Sequence, residues 1–199
     1  TEERVLRVAR AMQPLLHDAP ALHRRLAEEA GVADLIQQRG DIYIYPSRTE
    51  FEAEAMAWRI RRQVGIRWIE LSAEELHQRE PDLSRRYGFG ALVEEGGHCT
   101  DPGGLVAALV AQAQAQGAAL LRAPATGFRI DGNRLTAVGT PAGEIACDAA
   151  VISAGAHSRR LAAALGDYVP LETERGYHAV LRDPEVTPRY PLMPSDGKM

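Results

Sequence analysis

Apolar residues in this chain recur with two periods, and the alternation between them outlines the elements. Phe51, Ala55, Met56, Ile60 and Val64 fall at helical spacing, which predicts one amphipathic helix over 49–63, ended by Gly65. Residues 2–12 and 21–30 carry the same pattern, with Pro14 and Pro20 as breakers and Gly31 as a terminal glycine. Residues 41–45 are Asp-Ile-Tyr-Ile-Tyr between Gly40 and Pro46, a run of β-branched and aromatic side chains that predicts a strand. Residues 66–71 alternate and predict a strand with one wet face. Ser72 and Glu75 form a capping box that opens a short helix, and Pro81 closes it. A short strand over 88–93 follows. Then Thr100 or Asp101 caps a helix with Pro102 in its first turn, running to about 116 before Gly117.

Beyond Gly117 the pattern turns to strands. Residues 118–122 and 127–130 are read as strands, and Asp131-Gly132-Asn133 as a hairpin turn into 135–138. Pro141-Ala142-Gly143 then turns the chain into 145–147. An apolar stretch over 149–152 predicts a buried strand running straight into Ser153-Ala154-Gly155-Ala156, with a helical pattern over 158–165 behind it. A strand, a turn almost without side chains and a helix start let a backbone approach a phosphate or dinucleotide closely. The same spacing also suits an ordinary β-turn-α connection. A further strand is predicted over 176–181, and four prolines after Asp183 predict an irregular tail. The region 100–166 reads as half of a nucleotide-binding α/β domain with a β-meander crossover. The remaining strands lack parallel crossover helices and suggest a separate mixed or antiparallel sheet, so the fold class is α+β.

Composition narrows the chemistry. The 199 residues are 45% hydrophobic and 25% charged with a formal net charge of −4, the profile of an ordinary globular protein without a nucleic-acid footprint. Arginine pairs such as Arg85-Arg86 and Arg159-Arg160 are scattered and read as solvated helix faces. The longest apolar run, 105–111, is too short to span a bilayer, and no signal-peptide pattern opens the chain. Cys99 and Cys147 make neither a disulfide framework nor a metal site, and read as small buried residues in a reducing cytoplasm. The histidines lack ligand spacing, so no metal is expected.

A set of short motifs runs in order from residue 96. Gly96-Gly-His-Cys-Thr-Asp-Pro102 precedes a helix; Pro124-Ala125-Thr126 and Asp131-Gly-Asn-Arg-Leu135 follow. Then come Cys147-Asp-Ala-Ala-Val-Ile-Ser-Ala-Gly-Ala156, Val169-Pro-Leu171 and Arg175-Gly-Tyr177. In this order the chain resembles the flavin-dependent amine oxidoreductases of the D-amino-acid oxidase superfamily over about residues 39–199. The likeness is greatest to bacterial D-amino-acid dehydrogenases, then to glycine and sarcosine oxidases. The resemblance implies FAD as cofactor and oxidative deamination of a D-amino acid or related amine by hydride transfer to the flavin. It implies substrate-domain residues over 1–95, part of an FAD-binding domain over 96–167, and a return strand and tail of the substrate domain over 168–199. Family members hold the pyrophosphate on an N-terminal G-x-G-x-x-G turn, which no segment of this chain matches. The chain therefore reads as the central part of such an enzyme, not expected to retain FAD or to be active by itself.

The resemblance places Ala125, Ala154, Gly155 and Ala156 against the cofactor. For anchoring a substrate carboxylate on rigid strands, the candidates are Tyr43 and Tyr45 on one strand and Arg175 and Tyr177 on another, while His178 points away. No residue is singled out as a catalytic acid or base, since flavin amine oxidation does not require one. A flavin dehydrogenase for a hydroxy acid or glycerol phosphate stands as an alternative, marked by convergent basic side chains near Tyr43 and Tyr177. A non-catalytic interaction module is the other, marked by a contiguous apolar patch without a concave site. Partners are expected to be a small amine or amino acid and, through surface left open by truncation, a second copy of the chain.

Overall fold

The computed structural model describes residues 1–197. In chain order the elements are α1 (Glu2–Leu16), α2 (Ala19–Glu29), β1 (Ile36–Gln37), β2 (Asp41–Tyr45), α3 (Arg48–Ala53), α4 (Ala55–Gln63), β3 (Ile69–Ser72), α5 (Ala73–Arg79), β4 (Phe89–Val93), β5 (His98–Cys99) and α6 (Pro102–Ala115). They continue with β6 (Gly127–Asp131), β7 (Arg134–Thr140), β8 (Gly143–Ala146), α7 (Ser158–Ala163) and β9 (Leu192–Pro194). The fold is α+β. The chain divides into two compact units, one made of Thr1–Ala118 with the tail from Val180, the other of Ala119–Ala179.

In the first unit β3, β4, β2 and β9 form one sheet in that order, antiparallel except where β9 runs parallel to β2. Period-two alternation gives the sheet two apolar faces, and both are covered. Ile42, Ile44, Leu71 and Leu92 pack with Leu76 of α5 on one side. Tyr45, Phe89 and Ala91 pack with Phe51 of α3 and Trp58 of α4 on the other. The capping box at Ser72 and Glu75 is complete and opens α5 as the sequence implies. Gly40 enters β2 at φ +83°, and a Cβ there would lie 2.5 Å from the Val93 carbonyl oxygen, so the close approach of the two strands requires glycine.

The helix expected over 49–63 is two helices, broken at Glu54, whose carboxylate receives the Tyr45 hydroxyl. Pro14 does not stop α1, which runs two residues past it although the ring gives up the hydrogen bond that an N–H there would make to the carbonyl four residues back. The proline-rich tail supplies β9, with Pro194 as the last residue of an edge strand, a position where its missing N–H is tolerated. The two-residue strands β1 and β5 pair with each other beside Ala27 and Leu105, and they are too short to leave a pattern in the sequence.

The second unit is built on the antiparallel meander β6-β7-β8, with a register shift between Arg129 and Ile130. The hairpin turn expected at Asp131–Asn133 joins β6 to β7. Three stretches expected as strands, 118–122, 149–152 and 176–181, are irregular in the structure. Leu121 is 60% exposed, Val151 90% and Leu181 76%. No strand among the described residues pairs with any of the three.

Candidate functional site

The turn at 153–156 leads into a single 3₁₀ turn, Gly155–His157, and then α7. Gly155 takes φ +55°, the left-handed conformation that favours glycine. Ser158, at the start of α7, accepts a hydrogen bond from the Ala154 N–H at 3.0 Å and ties the turn to the helix. Beside it lies a groove of about 850 Å³ whose walls include Ala123, Pro124, Ala125, Ala154, Ala156 and the Arg159-Arg160 pair. A second, smaller cavity of about 230 Å³ lies under Phe128, Val138 and Ile152 and shares Ala125 and Ala154 with the first. The small-residue turn is thus open on two sides.

Three of the four residues expected against a cofactor, Ala125, Ala154 and Ala156, therefore share one wall, and Gly155 forms the bend between the last two. Methyl-sized side chains at 123, 125, 154 and 156 leave that wall nearly bare. Arg159 and Arg160, read from the sequence as solvated, line the groove. Arg159 is held by Glu172 at 2.8 Å, whereas Arg160 makes no ion pair among the described residues. In the sequence they are a cation pair after a side-chain-poor bend, spelled no differently from a solvated surface pair.

The substrate candidates are distributed differently. Tyr43 and Tyr45 do share a face of β2. Tyr43 is half-buried, edge-on to Trp58 at 5.1 Å, with the Arg61 guanidinium 5.0 Å above its ring. Tyr45 is buried to 1% exposure, and its hydroxyl donates to Glu54 at 2.8 Å while accepting from the Trp58 indole N–H at 3.0 Å. Burial first, and the Glu54 bond second, push its phenol up to about 12. That hydroxyl is committed to the core in this structure. Arg175 and Tyr177 lie on irregular chain of the other unit, not on a strand, and Tyr177 is 83% exposed.

A family model described as FAD dependent oxidoreductase matches residues 3–198. The chain belongs to that family. A protein named D-amino-acid oxidase from Bradyrhizobium diazoefficiens is 56% identical over all of this chain and 47% of its own length. A D-amino acid dehydrogenase from Paramagnetospirillum magneticum is 29% identical over 88% of this chain and 40% of its own. The crystal structure of glycine oxidase from Bacillus cereus superposes with a TM-score of 0.63 at 25% identity, covering 80% of this chain and 42% of that one. The chain thus spans less than half the length of the FAD dependent oxidoreductases it matches. No helix among the described residues is long and apolar enough to cross a membrane, and no cluster of three metal-ligating side chains occurs among them.

Proposed function

We propose that this chain serves the oxidative deamination of a D-amino acid or related amine, with FAD as the hydride acceptor. The observation that carries this is the groove walled by bare backbone and methyl groups at Ala125, Ala154 and Ala156. Its lining fits one wall of a dinucleotide site: nothing larger than a methyl projects there from 154 to 156, and Arg160 supplies an uncommitted cation. The phosphate-cradling glycine motif is not among these residues, so the chain alone is proposed to be catalytically silent. The chemistry supplied by bound FAD is acceptance of a hydride from the carbon bearing the amine.

The roles of this chain's own side chains are positional. Ala125, Ala154, Gly155 and Ala156 are proposed to hold the cofactor against main chain. Arg175 and Tyr177 are the proposed carboxylate anchors, since both are exposed and uncommitted. Separately, in the first unit, Tyr43 offers a half-buried ring. Tyr45 holds Glu54 and Trp58 in place behind it.

The test is a visible spectrum of the full-length gene product, recorded with and without a panel of D-amino acids. Bleaching of the flavin by a D-amino acid is the expected result, and a bound flavin that no amine bleaches would remove the assignment. Ala156→Phe, which fills the groove, is expected to lower flavin content at least about tenfold while leaving the far-ultraviolet dichroism unchanged. Near-stoichiometric FAD on the isolated 199-residue chain would contradict its proposed silence.

A further inference from the structure

Two polar side chains are buried among the described residues, His77 and Glu80, and both belong to the C-terminal end of α5. Glu80 is 4% exposed and sits at the C-terminal end of α5, the helix end that carries partial negative charge. It takes part in none of the ion pairs among the described residues. What it does hold is a main-chain donor from far along the chain: the Tyr190 N–H gives it a hydrogen bond at 2.7 Å.

Tyr190 begins the segment that closes the edge of β2. The Ile42 N–H donates to the Pro191 carbonyl at 3.0 Å, β9 pairs alongside, and the Ser195 N–H donates to the Ile44 carbonyl at 3.0 Å. At the far end Asp196 accepts from the Tyr87 hydroxyl at 3.0 Å and pairs with Arg86. His77 holds the same loop from beneath, its Nε2 lying 3.0 Å from the Tyr87 carbonyl. The two buried polar groups of α5 thus hold two chain segments, His77 the loop at Tyr87 and Glu80 the residue that leads into β9.

We infer that residues 190–196 form a strap latched to the sheet by Glu80, which opens and closes as one unit over the edge of β2. Breaking the Tyr190 bond with the strap in place leaves a buried carboxylate without a partner, a costly state. Lifting the whole strap lets water reach Glu80 instead, so partial release is disfavoured and opening is cooperative. Opening frees the Ile42 N–H and Ile44 carbonyl on either side of Tyr43, which faces Met193 in the closed register. The latch does not depend on the flavin assignment, and its test does not read activity.

Native-state hydrogen exchange on the full-length protein decides it. The amides of Ile42, Tyr190 and Ser195 are expected to share one opening free energy and one denaturant slope, below those of β4. Glu80→Ala is expected to speed those three at least about tenfold and leave β4 within about threefold, while Glu80→Gln, which keeps an acceptor, stays near the unmodified rate. Independent exchange of the three amides would overturn the latch, as would no change in Glu80→Ala. So would a Glu80→Ala variant that speeds β4 equally or fails to fold, since Glu80 would then be a general core residue.

Discussion

Strand β2 and the stretch 149–152 look alike in the sequence, each a short apolar run halted by a small or rigid residue, yet they end differently. Ile42 and Ile44 are at most 2% exposed, whereas Val151 is 90% exposed. The difference is the ladder. β2 lies between β4 and β9, so its main-chain groups are paired on both sides and its alternating side chains reach helices on both faces. Residues 149–152 have the composition of a strand and no neighbour to pair with among the described residues. Of the buried apolar side chains described, the second unit contributes Ala137, Leu161 and Ala162, two of them alanine. Strand propensity is therefore a statement about fitting a pleated surface, and it yields a strand where that surface exists.

The largest effect that separates the two regions is expected in their apolar side chains. Leu71 is fully buried between β4 and α5, and Leu71→Ala should cost about 2–5 kcal/mol through lost burial and the cavity left behind. Val151→Ala should stay within about 0.5 kcal/mol, because its side chain already lies in water. Urea denaturation of the two variants measures both. Comparable losses would mean that 149–152 is packed in solution as β2 is.

Next in size is Tyr45. Tyr45→Phe keeps the ring but leaves the Trp58 N–H and the Glu54 carboxylate without their shared partner, a loss of about 1–3 kcal/mol. The hydroxyl also sets a pH dependence. Its folded pKa, pushed up to about 12, exceeds the ordinary 10.0, so the folded chain keeps a proton that the unfolded chain releases first. This contribution is fully present below the ordinary value and is lost as pH rises from 10.0 toward about 12. Stability measured across that window should fall in the native chain and fall less in Tyr45→Phe. Equal slopes would place the titration elsewhere.

Local signals in the sequence carried the first unit well. The capping box at Ser72, the Asp101 cap of α6 and the Gly40–Pro46 frame of β2 each rest on residues within a few positions of one another, as does the Asp131–Asn133 turn of the second unit. What escaped depends on distance along the chain. β9 reaches β2 across roughly 150 positions, and no local pattern marks Glu80 as the acceptor for Tyr190. The site shows the same division. The bare turn at 153–156 is visible as composition, so the groove wall it forms was legible. The neighbouring Arg159 and Arg160 were not, because a surface pair and a groove pair are spelled alike. Tyr45 was read as a substrate contact because alternation gives its face but not what covers that face.

The smallest expected effect lies on the meander. Arg129 of β6 and Glu144 of β8 form an exposed ion pair at 3.0 Å across the strand between them. Both side chains are more than half in solvent, so the attraction is weakened by water and screened by salt while two flexible side chains lose freedom. Glu144→Gln should change stability by less than about 0.5 kcal/mol, and the change should vanish in molar salt. A loss near that of Tyr45→Phe, persisting at high salt, would require the pair to be shielded from solvent. The meander would then be covered on that face, and the exposed second unit would have to be redrawn as one side of a packed interface.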